Sequence, residues 1–178
     1  MNNARLLCIL FISILLTRLL PHWGNFTAMM SASLCAGQLL PKKISIPFIV
    51  ASLLISDILL SLFLGLPFMG SWLLFSCSGY ALTTLLANQI NPGSYLFRFV
   101  TLSGLGFFYW FWTNLGAYFA IYPHNLSGLI LCYYNALPFL QYALLGNLIC
   151  YPILLVILHY TGCLSRAPKT HTASPHCS

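Results

Sequence analysis

Apolar residues fill this chain in long runs, and short groups of turn-forming residues interrupt them. The runs cover positions 5–20, 26–40, 45–66, 69–90 and 96–122, and a last one extends from 126 to 160. Pro41-Lys42-Lys43, Gly65-Leu66-Pro67, Asn91-Pro92-Gly93 and Tyr122-Pro123-His124-Asn125 separate them, all breaker or turn chemistry. Most of the runs approach the roughly 20 residues that an α-helix needs to cross a bilayer. The second is shorter and must cross with little tilt or stop inside the lipid. In the last run Pro138 predicts a break, leaving 126–137 as a partly embedded segment and 138–160 as the sixth helix. The pattern therefore predicts an all-α membrane protein: a six-helix transmembrane bundle in a single domain, 1–163. A Ser-, Thr- and Pro-containing tail, 164–178, reads as disordered and cytoplasmic.

Composition strengthens this reading. Of 178 residues, 60% are hydrophobic and only 4% charged, against about 25% charged in ordinary soluble domains. A water-soluble domain of this size has too much surface for its volume to hide so much apolar material. The net charge of +6 comes from seven scattered Lys and Arg residues. They form no stripe that could follow a phosphate backbone, so nucleic acid is not an expected partner. Their placement reads instead as topology. With six spans, Arg5, Lys42, Lys43, Arg98, Arg166 and Lys169 fall on one side, and only Arg18 lies near the other. The positive-inside rule makes that first side, with both termini, cytoplasmic. Arg18 and Pro21 follow the first apolar run, and further runs follow them, so positions 1–20 read as a first span rather than a cleaved signal.

The seven cysteines form no C-x-x-C pair, and most lie inside apolar runs, where cysteine packs as a small hydrophobe. His171, His176 and Cys177 belong to the polar tail and are not read as a metal site. Asn25-Phe26-Thr27 and Asn125-Leu126-Ser127 match the glycosylation sequon, a pattern frequent by chance.

Polar side chains concentrate toward the non-cytoplasmic end. At about 1.5 Å per helical residue, Asp57 lies near the midplane of the third helix, slightly outward. It is the only acidic residue of the chain, and a lone lipid-facing carboxylate is implausible. Arg18 is the only arginine at similar depth, and the two are expected to face the same interior space. His22, Asn25 and Thr27 occupy the outer turn after Arg18. Asn114 follows the aromatic run FFYWFW (107–112), Tyr133, Tyr134 and Asn135 lie in the broken segment, and Gln141 and Asn147 begin the sixth helix. One reading is an outward-facing pocket for a small polar or amphipathic solute, lined by Arg18, Asn25, Asp57, Asn114, Tyr134, Asn135 and Asn147. The other is a set of polar clasps that hold helices together and bind nothing. The aromatic run reads as a packing surface. In the second helix Ala28, Ala32 and Ala36 repeat every four residues, and Ser33 and Gly37 have the same spacing. Such small residues suit a tight internal helix contact or, alternatively, a docking face for a partner subunit.

The stretch RLLPHWGNFT, Leu-Pro-Lys-Lys after the second helix, Ser56-Asp57, Thr113-Asn114, CYYNALPF (132–139) and Leu145-Gly146-Asn147 together resemble a family of small bacterial membrane proteins of unassigned function, over about residues 5–160. That family is similar to the substrate-binding S components of energy-coupling-factor (ECF) transporters. The resemblance implies solute capture in the bacterial inner membrane, with a transmembrane coupling subunit and ATPases as partners, no cofactor and no catalysis of its own. In agreement, the chain has no phosphate-binding G-x-x-x-x-G-K-[ST] motif. With one acidic residue it cannot form a carboxylate pair. S components dock through small residues on helix one, whereas helix one here reads LLCILFISILL, and the small-residue pattern lies on helix two.

Overall fold

The structure is a computed structural model that describes residues 3–19, 26–65, 70, 72–90 and 93–164. Among them are six α-helices and no strand: α1 (Asn3–Leu19), α2 (Met29–Leu39), α3 (Lys42–Leu64), α4 (Trp72–Gln89), α5 (Tyr95–Ile121) and α6 (Leu126–Tyr160). By length and apolarity α3 and α6 could each cross a membrane. The tail expected to be disordered, and Asn25, His22, Arg166 and Lys169, lie outside the described residues.

The short helix sits at the centre. α2 packs against all five other helices, and every residue from Met29 to Gly37 is buried. Its composition explains the position. Ala32, Ala36, Ser33 and Gly37 present almost no side chain, so neighbouring backbones can close in. Gly37 marks the tightest approach: a Cβ there would stand 2.7 Å from both Ala87 Cβ and the Thr84 carbonyl oxygen of α4. The small-residue face is thus an internal contact. The alternative of a partner-docking face is corrected, because α3–α6 already cover it.

Both ends of α2 are held by side chains from elsewhere. Thr17 Oγ1, in the last turn of α1, accepts from Ala28 N at 3.0 Å, supplying one of the partners that a helix start lacks. At the other end the Asn88 amide of α4 donates to Gly37 O at 2.7 Å and Leu40 O at 2.8 Å, covering two carbonyls. Asn88→Ala removes both donors and leaves those two partly buried carbonyls without them. We expect a loss of about 1–3 kcal/mol, measured as a lowered unfolding midpoint of the purified protein.

α6 corrects the expected break at Pro138, since it runs unbroken through both Pro138 and Pro152. Proline removes one helix hydrogen bond and crowds the preceding turn, but a helix inside a bundle can recover the loss from neighbours. Here the stretch beside the proline is tied to α5, with Trp110 Nε1 donating to the Ala136 carbonyl at 2.9 Å, while the carbonyl that Pro138 leaves without its helical donor is that of Tyr134. The aromatic run therefore divides by face: Trp110 is buried against α6, while Phe107 and Phe111 are exposed. The start of α6 is capped by Asn125, whose side chain accepts from Gly128 N at 2.7 Å. This sequon asparagine has a structural role.

Arg5 Nη1 reaches Thr161 O at 3.4 Å, which brings the first turn of α1 beside the end of α6. The first and last described helices thus meet at one end of the bundle. The described cysteines are all free thiols, and Cys35, Cys132, Cys150 and Cys163 are buried among apolar side chains.

Candidate functional site

A polar cavity of about 350 Å³ opens among residues of all six helices and Thr27, which leads into α2. Arg18 and Asp57 meet in its wall: Arg18 Nη2 donates to Asp57 Oδ1, joining α1 to α3. Both side chains stay partly open to the cavity, at 16% and 22% exposure. The expectation that these two charges face one interior space holds.

α4 contributes Trp72, Ser76 and Tyr80, three residues spaced by four that share one helix face. α5 contributes Gly106, Tyr109 and Thr113. Where α4 and α5 meet, the rings of Tyr80 and Tyr109 lie 4.1 Å apart, tilted by 34°. Ser76, Tyr80, Tyr109 and Thr27 thus place four hydroxyl-bearing side chains along one side of the cavity. Thr27 reaches the cavity because α6 has glycine where it passes. A Cβ at Gly146 would stand 3.1 Å from Thr27 N and 3.2 Å from Phe26 Cα. Met30, Leu53, Leu60 and Ala143 complete the apolar part of the wall.

Asn147 lines this cavity as expected, and it is buried at 4% exposure. It also lines a second, mostly apolar groove of about 300 Å³ between α5 and α6, with Phe99, Leu102, Ser103 and Gln141. One asparagine thus stands in the partition between the two spaces.

Three expected residues stand elsewhere. Asn114 donates through Nδ2 to Trp110 O at 2.7 Å, a bond within its own helix, and does not line the cavity. Tyr134 is 70% exposed on the outer face of α6. Asn135 is exposed and donates to the Tyr122 hydroxyl at 3.3 Å. The reason is continuity through Pro138. With no break, α6 turns Cys132 and Ala136 inward and leaves Tyr134 and Asn135 outside. Asn25 lies outside the described residues.

The sequence reading passed over Trp72, Ser76, Tyr80, Tyr109 and Thr113. A signal existed for α4, where a polar or aromatic residue recurs every fourth position within an apolar run. Thr113 is a weak contributor, because its hydroxyl donates to Tyr109 O at 2.9 Å in its own helix.

An all-helical bundle closing around a polar cavity with one internal ion pair defines the class. Residues 1–169 match DUF6580, a family of unknown function, and the chain belongs to that family. Comparison with curated proteins and with solved structures gave no match.

Proposed function

We propose that this chain is an integral membrane protein of the bacterial inner membrane that captures a small solute in its central cavity. The membrane part rests on an inverted distribution of side chains. Large apolar residues face outward on five helices: Ile12 and Leu16 on α1, Leu62 and Phe63 on α3, Leu74 on α4, Val100 and Phe107 on α5, Leu148 and Ile153 on α6. Ser31, Ser33, Ser52, Ser56, Thr83, Thr84 and Asn147 are buried instead. Water would penalise an apolar surface of that extent, since exposed patches on soluble monomers rarely exceed a few hundred Å². Lipid reverses the penalty. α2, at 11 residues and about 1.5 Å each, is shorter than the roughly 30 Å hydrocarbon core. It returns beside α1, itself only 17 residues long, and is shielded from lipid by its neighbours. Six passes with both termini cytoplasmic remain the topology that the basic residues support.

The observation that carries solute capture is the open space beside the ion pair. A clasp that only joined α1 to α3 would be packed over by its neighbours. Here about 350 Å³ stays open against it, room for about a dozen waters at ~30 Å³ each. Arg18 suits an anionic or carbonyl group of the solute, Asp57 a donor, and Asn147 and Thr27 would set orientation. The reading follows the resemblance to ECF S components, which bind solute and leave ATP hydrolysis to partners. The small-residue face of α2 is occupied internally, so any coupling subunit would dock on the exposed apolar faces of other helices.

Asp57→Asn tests capture against the clasp. The amide keeps a similar shape and can still accept from Arg18 but does not balance its charge, so a melting curve accompanies the test on either reading. Capture predicts at least a tenfold loss in affinity for whichever member of a vitamin and metabolite panel saturates the wild-type protein in detergent. A clasp predicts that no panel member saturates either form.

A further inference from the structure

We propose that the central cavity takes a net-neutral solute carrying both charges, a small zwitterion whose anionic group binds Arg18, whose cationic group binds Asp57, and whose flat apolar part lies against Tyr80 and Tyr109. The inference rests on the solute-capture reading and narrows its ligand class.

Charge balance is the first argument. Arg18 and Asp57 are the two charged residues in the cavity wall, and Asp57 is the only acidic residue in the sequence. Among the described residues the wall therefore carries no net charge. A lone anion added beside Arg18 would leave the site with one net negative charge, and a lone cation added beside Asp57 with one net positive charge. An uncompensated charge in a low-dielectric interior is strongly disfavoured. A zwitterion exchanges one neutral pair for two and leaves nothing unpaired.

Spare bonding capacity is the second. Among the described residues the pair is joined by a single hydrogen bond, from Nη2 to Oδ1. The other guanidinium N–H groups and Asp57 Oδ2 make no bond to a described residue. An arginine offers five N–H donors in a planar fork and a carboxylate two acceptor oxygens, so each partner can take up a ligand group before the pair has to separate. The rest of the wall fits the remainder of such a molecule. The paired rings of Tyr80 and Tyr109 give a flat apolar surface. Thr27 and Asn147 add neutral polar groups at the edge.

A matched trio decides the matter on the purified full-length protein in detergent by titration calorimetry: L-phenylalanine, 2-phenylethylamine and 3-phenylpropionate, which share a ring but carry net charges of zero, plus one and minus one. The same charge comparison is then applied to any panel solute that saturates the protein. Wild type should bind the zwitterion at least tenfold more tightly than either singly charged relative. Asp57→Asn should move the preference to the anion and Arg18→Gln to the cation, with melting curves as the check on folding. If a variant fails to fold, the wild-type order alone decides. A singly charged compound bound as tightly as its zwitterionic counterpart overturns the proposal and leaves solute capture standing. If no compound in the trio or the panel saturates the protein, solute capture falls with it.

Discussion

Asp57→Ala should lower the stability of the bundle by about 3 kcal/mol, the lower end of the range for breaking a buried pair. It leaves the Arg18 guanidinium inside the protein without its carboxylate. The lower end applies because both side chains retain some exposure to the cavity, 16% and 22%. Adding Arg18→Met should restore most of the loss, since two neutral side chains have no charge to compensate. The measurement is the unfolding midpoint of the single and double variants in one detergent. Equal losses in both would show that the carboxylate acts through packing and not through its charge.

Gly37→Leu should prevent assembly of the bundle, and Gly37→Ala should destabilise it by about 1–3 kcal/mol, the cost of forcing a methyl group into a filled contact. The added Cβ meets two atoms at 2.7 Å, Ala87 Cβ and Thr84 O. Ala87→Gly in the same chain relieves the first clash and leaves the second, because a backbone carbonyl cannot be trimmed. Rescue should therefore be partial. Full rescue would mean that the Thr84 carbonyl moves away freely and that the contact between α2 and α4 is looser than its geometry shows.

The helices themselves were legible in the pattern of breakers. α3, α4 and α5 lie within a few residues of the runs that Pro41, Gly65, Asn91 and Pro123 delimit. The meeting of Arg18 with Asp57 was legible for an electrostatic reason. With one acidic residue in the chain and one arginine at its depth, burial left each a single partner of opposite charge. Facing was harder to read. A helix that is apolar all round carries no stripe to say which side turns inward, so Asn114, Tyr134 and Asn135 could be placed by height and not by direction. The continuity of α6 was hidden for a related reason. Pro138 breaks a helix by its own chemistry, and the tie that holds this stretch of α6 to α5, from Trp110 Nε1 to the Ala136 carbonyl, comes from 26 positions away in sequence. Asn88 was passed over likewise, because a cap reaching from α4 to the end of α2 leaves no local trace.

For the membrane protein proposed above, the central position of α2 would constrain how the chain is made. Membrane helices can enter lipid one at a time and associate afterwards, provided each is apolar enough to rest in lipid alone. α2 carries Ser31, Ser33 and Gln38 within 11 residues and exposes almost none of its surface in the finished bundle. When it leaves the ribosome only α1 precedes it, and α3 to α6, which enclose it, are still unsynthesised. A nascent chain stopped after residue 40 therefore holds a helix with no stable place in lipid. On the membrane reading proposed above, biosynthesis would keep α2 waiting at the insertion machinery or the membrane surface until the later helices arrive to take it in.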